Sequence, residues 1–294
     1  RDQPRSRGLG DVYKRQRPVS IRDALYEAPG PKTLAKIRVG TAVTAVLVAL
    51  LLGFVVYQFW ATGQLSPRYW MFFTQLSTWS YLLAGLRGTL TVALTAGGIA
   101  LVLGLALMLG RTSGIRVLEA ACRVVTDFFR GVPSLLLIYF FFLVVPQYGI
   151  RMSSFWMLAL PVALAASGVL AEVFRAGVNA VPRGQAEAAL ALGMSPFRVK
   201  LKIVLPQAIR YVIPSLISQL VVVVKDTTVA YVVSYPDMLQ NARVLITNYD
   251  ALVSTYLVVA VIYILLNYAI NQLSVYVARR SGTRVVSRYS TNPA

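Results

Sequence analysis

The sequence predicts an all-α membrane protein with about six transmembrane helices. Of its 294 residues, 57% are hydrophobic and only 14% are charged, and the mean hydropathy is +0.64. A soluble domain carries about 25% charged residues, so most of this chain is suited to lipid rather than to water. The apolar residues fall into runs of about 20, which is the length of a helix that crosses a bilayer.

Six apolar runs account for the predicted transmembrane helices. They are Val39–Trp60, Gly88–Gly110, Val124–Val145, Phe155–Gly177, Tyr211–Ser234 and Leu252–Val277. The first run is longer than the core of a signal peptide, and no small-residue cleavage site follows it, so we expect it to persist as a helix. Pro133 and Pro214 lie inside runs and are predicted bending points, because proline removes a helical hydrogen bond. Segments 61–87 and 235–250 are predicted to be connections.

Basic residues are distributed unevenly between the two sides of the membrane. The chain holds 29 Lys and Arg against 11 Asp and Glu, a net charge of +18. In a soluble protein this excess would indicate nucleic acid. Here the positive residues lie between apolar runs, so no nucleic-acid partner is predicted. With the N-terminus inside, 24 of the 29 fall in inner segments and 4 in outer ones, which predicts that both termini are cytoplasmic.

Both ends of the chain are predicted to be tails. Residues 1–38 are polar and basic and are expected to form a disordered cytoplasmic tail, and residues 281–294 a second one. The string from Gly8 to Gln16 resembles a translated sequencing adapter, so we expect about residues 1–16 to be foreign to the native protein.

Residue types that the chain lacks exclude several functions. A single Cys allows no internal disulfide, and the absence of His removes the commonest metal ligand and general base. No Cys/His cluster predicts a metal site, and no G-x-x-x-x-G-K-[ST] motif predicts an ATP site. We therefore predict a protein that is not an enzyme and that holds no metal or cofactor of its own.

The longest polar interruption, 178–210, is predicted to be a helix–turn–helix. Residues 185–192 favour a helix, and Gly193 can adopt the positive φ that ends it. Ser195 and Pro196 are suited to begin a second helix, which Pro206 is expected to end. Composition alone leaves two interpretations open: the segment inserts into a groove of a partner protein, or it rests as a basic amphipathic segment on anionic membrane lipid.

The residues of this loop resemble the signature loop of ATP-binding-cassette (ABC) importer permeases. The matching residues are Glu187, Ala188, Ala189, Gly193, Ile203, Leu205 and Pro206. Shorter stretches, Phe129–Pro133, Ala171–Gly177 and Lys225–Thr228, are similar to the polar-amino-acid branch of that family, the histidine/glutamine/glutamate-type permeases. The resemblance covers about residues 75–280. The extra first helix, 39–60, resembles the glutamate-uptake permeases of actinobacteria.

The resemblance implies a type I importer core of five helices plus one extra N-terminal helix, in a bacterial cell membrane. It implies that the seven loop residues dock on a separate ATP-binding subunit, which would hold ATP and Mg. Further implied partners are a second homologous permease or a second copy of this chain, an extracytoplasmic solute-binding protein, and a polar amino acid as substrate.

Charged residues within the spans provide candidate binding groups. Lys225, Asp226, Thr227 and Thr228 lie deep in the fifth run, where charges are costly. They offer a cation, an anion and hydroxyls to an amino-acid zwitterion, or they stabilise a broken helix. Two closely spaced pairs, Asp127 with Arg130 and Glu172 with Arg175, are expected to hold helix ends together.

A stand-alone ion-coupled carrier of amino acids is the alternative function. The loop distinguishes the two, because a carrier has no use for a segment that docks on an ATPase. An ion channel would need a filter segment, and the sequence shows none.

Overall fold

The structure, a computed structural model, describes residues 31–280, which contain ten α-helices and no β-strand. In chain order the α-helices are α1 Pro31–Ala61, α2 Leu76–Arg111, α3 Arg116–Gly131, α4 Ser134–Tyr139, α5 Ser154–Ala180, α6 Arg183–Ala191, α7 Pro196–Val199, α8 Leu205–Asp226, α9 Met238–Tyr249 and α10 Leu252–Arg280. Turns of π-helix follow α4 (Phe140–Val144) and α7 (Lys200–Val204), and a 3₁₀-helix follows α8 (Thr227–Val233). The all-α prediction is confirmed.

Five stretches of the described chain are long and apolar enough to cross a membrane, and a bent pair of helices could supply a sixth. The bent pair joins α3 to residues 134–148 at an angle of 98°. The run predicted as one span from Val124 to Val145 is therefore broken, and Pro133 is a bending point as predicted. Val132 adopts an extended conformation because the following proline disfavours the helical one. Pro214, by contrast, lies within the continuous helix α8.

The described residues up to Gly63 form a unit of their own, which contains the helix α1. No charged residue occurs from Val39 to Ala61, and a helix that is apolar all round suits lipid. The helix is described from Pro31, and proline is favourable in a first helical turn. Residues 31–38 are therefore helical, in contrast to the disordered tail expected there. The rest of that tail and the predicted tail 281–294 lie outside the described residues.

The second unit, from Gln64 onward, is built around α2 and α5, the two helices with the most extensive mutual contact. The core contains small side chains of α2, namely Ala93, Ala96 and Ala100, all fully buried. A Cβ on Gly104 would lie 2.8 Å from the Cβ of Leu170 on α5. Helices in a membrane are held largely by van der Waals packing, and small residues allow this close approach.

Two helical segments were not predicted by hydropathy. α2 begins at Leu76 within the predicted connection 61–87, and α9 occupies most of the predicted connection 235–250. The two helices pack together: the side-chain amide of Asn241 donates to the carbonyl of Tyr81 (2.8 Å), and a Cβ on Gly88 would lie 2.5 Å from the carbonyl oxygen of Pro236. The buried residues of α9 are Met238, Asn241, Ala242 and Leu245, which recur at helical spacing.

Candidate functional site

The polar loop after α5 forms a segment that we call the bracket, residues 183–204. It consists of α6, a turn at Gly193, α7 and the π turn that follows. Gly193 has a φ of +79°. Its N–H donates to the carbonyl of Leu190 (2.9 Å), and the N–H of Met194 donates to that of Ala189 (3.2 Å). These two bonds make a Schellman motif, so the predicted turn at Gly193 is confirmed.

The second arm of the bracket begins as predicted but does not end as predicted. α7 starts at Pro196, and Ser195 holds the capping position, although its side chain makes no capping hydrogen bond. The expectation that Pro206 ends this helix is wrong, because the chain continues through the π turn into α8 and Pro206 lies in the first turn of α8. The wider π turn accommodates a residue that cannot donate a helical hydrogen bond.

The seven motif residues lie in different environments. Glu187, Ala188, Gly193 and Pro206 are exposed, Ile203 and Leu205 are half-buried, and Ala189 is buried. Beside the turn, three large apolar side chains outside the motif are also exposed: Leu190 by 45%, Leu192 by 84% and Phe197 by 69%. These three side chains give the bracket an apolar tip within a basic segment. Such a surface is suited to burial in a partner.

The four residues of the candidate substrate group diverge at the end of α8. Lys225 is exposed, whereas Asp226 is half-buried and lies near the Ser134 side chain at the start of α4. Thr227 is fully buried, and its hydroxyl donates to the carbonyl of Val224 (2.8 Å). The Thr228 hydroxyl donates to the carbonyl of Lys225 (2.6 Å). Both hydroxyls therefore donate to main-chain carbonyls where the α-helix changes to 3₁₀-helix. This agrees with the alternative that these residues stabilise a broken helix.

Glu172 on α5 binds arginines from three helices. Its carboxylate lies 2.5 Å from Arg111 of α2, 2.7 Å from Arg175 of α5 and 3.5 Å from Arg130 of α3. Arg130 also lies 3.8 Å from Asp127, so both predicted pairs are present. Arg111 was missed because nothing local in the sequence relates it to a residue 61 positions away. The predicted role of these pairs, holding helix ends together, agrees with this geometry.

Asp237 is a buried carboxylate that sequence reasoning also missed. It caps α9, where Oδ1 accepts the N–H of Gln240 (2.7 Å), while Oδ2 is buried and has no hydrogen-bond partner among the described residues. Burial raises the pKa of Asp237 to about 6, although backbone donors and the Arg243 guanidinium oppose the shift. The phenols of Tyr235 and Tyr263 lie close enough to interact with it electrostatically.

In comparison with known proteins, the chain is similar to components of transport systems. A family described as "binding-protein-dependent transport system inner membrane component" matches residues 100–282. The chain is 38% identical over 226 residues to the glutamate transport system permease protein GluD of Corynebacterium glutamicum, covering 74% of this chain and 81% of that protein. It is 30% identical over 205 residues to the probable glutamine ABC transporter permease protein GlnP of Bacillus subtilis, covering 70% and 94%. A crystal structure of an amino acid ABC transporter with histidines superposes with a TM-score of 0.67 at 26% identity, covering 71% of this chain and 98% of that one.

Replacing Glu172 by Gln should destabilise the protein far more than replacing Asp127 by Asn. The first change leaves three arginines without their shared carboxylate, and breaking a buried ion pair in this way costs about 3 kcal/mol or more. Asp127 is 57% exposed, so its removal should cost less than about 1 kcal/mol. Thermal unfolding of both variants in detergent measures the difference, and equal losses would contradict the central role of Glu172.

Asp237 should make the folded protein less stable as the pH rises. Its pKa is about 6 in the folded state against 3.8 ordinarily. The unfavourable charge is therefore absent below about pH 4 and complete above about pH 6, a difference of roughly 3 kcal/mol. Asp237→Asn keeps a capping side chain and should show a flatter pH dependence and higher stability at pH 7.5. Thermal unfolding between pH 4.5 and 7.5 tests this, with the exposed Asp250→Asn as the control that should behave like wild type.

Proposed function

The chain belongs to the family of binding-protein-dependent transport system inner membrane components, and we propose that it is the membrane subunit of an ATP-driven importer of polar amino acids of the glutamate/glutamine type. Two such subunits, either this chain twice or this chain with a related permease, form the pathway. A solute-binding protein delivers the substrate from outside. The chain lies in a bacterial cell membrane with both termini and the bracket in the cytoplasm.

The exposed bracket is the observation that carries this proposal. It presents Glu187, the turn at Gly193 and the apolar side chains of Leu190, Leu192 and Phe197 on one segment. A groove on an ATP-binding subunit would bury the apolar tip, and that subunit holds the ATP and Mg. Movement of the ATPase then shifts the bracket and, through it, the helices that line the pathway.

The substrate group is proposed at the end of α8. Lys225 supplies a cation for the carboxylate of an amino acid, and Asp226 supplies an anion for its ammonium group. Thr227 and Thr228 shape the turn beside them through the hydroxyl bonds described above. Specificity is shared with the binding protein, which meets the substrate first.

Co-purification from native membranes tests the function. The tagged chain should retain an ATP-binding subunit in stoichiometric amount, and vesicles containing the complex should take up labelled glutamate or glutamine only with ATP inside.

Gly193→Val should lower this uptake at least tenfold without loss of the chain from the membrane, because a β-branched residue is strained at positive φ. Gly193→Asn, which tolerates that conformation, is the control and should keep most of the uptake. ATP-independent uptake by a complex without an ATPase would instead support an ion-coupled carrier.

Lys225→Ala should weaken transport without affecting ATPase binding. Loss of the cation for the substrate carboxylate should raise the substrate concentration needed for half-maximal uptake about tenfold or more, if a charged hydrogen bond of about 1.5–3 kcal/mol is removed. Initial uptake rates across a range of substrate concentrations measure this. An unchanged concentration dependence and rate would exclude Lys225 from the substrate group.

A further inference from the structure

Lys200 connects the bracket to the turn at the end of α2. Its ammonium donates to the main-chain carbonyl of Thr112, the residue at the C-terminal cap of α2. The carboxylate of Glu119, on α3, attracts the same ammonium. The side chain is half-buried and belongs to the π turn before α8. One lysine thus bridges the bracket and the hairpin formed by α2 and α3.

In the described part of the chain, no other polar side chain of the bracket makes such a connection. Within residues 31–280, Lys200 makes the one side-chain hydrogen bond or ion pair between the bracket and a helix that does not continue from it. The remaining links come from the side-chain amide of Gln207, which donates to the side chain of Gln185 at 3.4 Å and to the carbonyl of Ile203 at 2.9 Å, and both join the bracket to α8. Since α8 is the direct continuation of the bracket, both links stay on the same helical arm.

The carbonyl that Lys200 contacts lies next to the arginine cluster. Thr112 directly follows Arg111, whose guanidinium binds Glu172 at 2.5 Å. A displacement of Lys200 therefore acts on α2 at the point where α2 is fastened to α5. Through Glu172 it also acts on α3, which contributes Arg130 to the same carboxylate.

We infer that Lys200 is a positioning residue that transmits movement of the bracket to the α2–α3 hairpin during transport. This role rests on the proposed function, because it requires an ATPase that moves the bracket. A charged donor makes a stronger hydrogen bond to a carbonyl than a neutral one. The long flexible stem of lysine allows the bond to persist as the two segments shift.

The test compares two neighbouring lysines in the complete importer. Lys200→Met removes the ammonium but keeps a long apolar stem, and Lys202→Met removes the same charge from an exposed position two residues away. ATP hydrolysis and uptake of labelled glutamate or glutamine are measured in the same vesicles. We expect Lys200→Met to lower the uptake per ATP hydrolysed at least fivefold, with unchanged ATPase binding and melting temperature, and Lys202→Met to match wild type.

A milder variant covers the case in which Lys200→Met does not accumulate in the membrane. Glu119→Gln keeps an acceptor for the N–H of Gly114, which Glu119 binds at 2.8 Å, but removes the charge that attracts Lys200. It should lower the uptake per ATP about twofold. An uptake per ATP hydrolysed in Glu119→Gln equal to that of wild type would then overturn the inference.

Failure of the proposed function and failure of the role inferred for Lys200 would give different results. A wild-type chain that binds no ATPase would refute the proposed function itself. If the wild-type importer works and Lys200→Met shows the same uptake per ATP hydrolysed as Lys202→Met, only the role of Lys200 is overturned. Loss of the ATPase from the Lys200→Met complex would also overturn it, because Lys200 would then act in docking rather than in transmission.

Discussion

The carboxylate of Glu172 fixes the relative positions of three helices. Arginines within an apolar protein need a counter-charge, which lipid does not supply. Arg111, Arg130 and Arg175 share this single carboxylate, so the ends of α2, α3 and α5 must meet at one point. The bracket follows α5 and also contacts α2 beside Arg111. The position of the exposed bracket relative to the membrane core therefore depends on the same cluster.

Two interruptions of helical structure meet beside the proposed substrate group. The chain bends by 98° between α3 and α4, and α8 changes to 3₁₀-helix after Asp226. Non-helical backbone is tolerated at membrane depth only where protein or a water-filled cavity surrounds it. Here Ser134, which begins α4, lies near Asp226, which ends α8. Charged and polar groups are thus concentrated where the helices leave backbone groups to be satisfied.

The sequence predicted the features that depend on neighbouring residues. The apolar runs predicted the long helices, and Gly193 and Pro133 predicted a turn and a bend, because each of these residues constrains its own backbone. Hydropathy could not locate the start of α2 or the whole of α9, because polar residues interrupt both segments and the two pack on each other. Arg111, Asp237 and Lys200 were missed because their importance arises from contacts with residues far away in the chain. The role proposed for the seven motif residues came from resemblance, since spacing alone fits either a partner protein or a lipid surface.

The continuity of the bracket with α8 has a mechanical consequence. Because Pro206 does not end the helix, one helical rod runs from Pro196 to Asp226, a length of about 46 Å at 1.5 Å per residue. The apolar tip adjoins one end of this rod, and Lys225 and Asp226 lie at the other. Treated as a stiff lever, the rod converts a tilt of about 10° at the bracket into a sweep of about 8 Å at these charges, by its length alone. A small rotation at the bracket therefore becomes a displacement of several ångström at the charged end of α8.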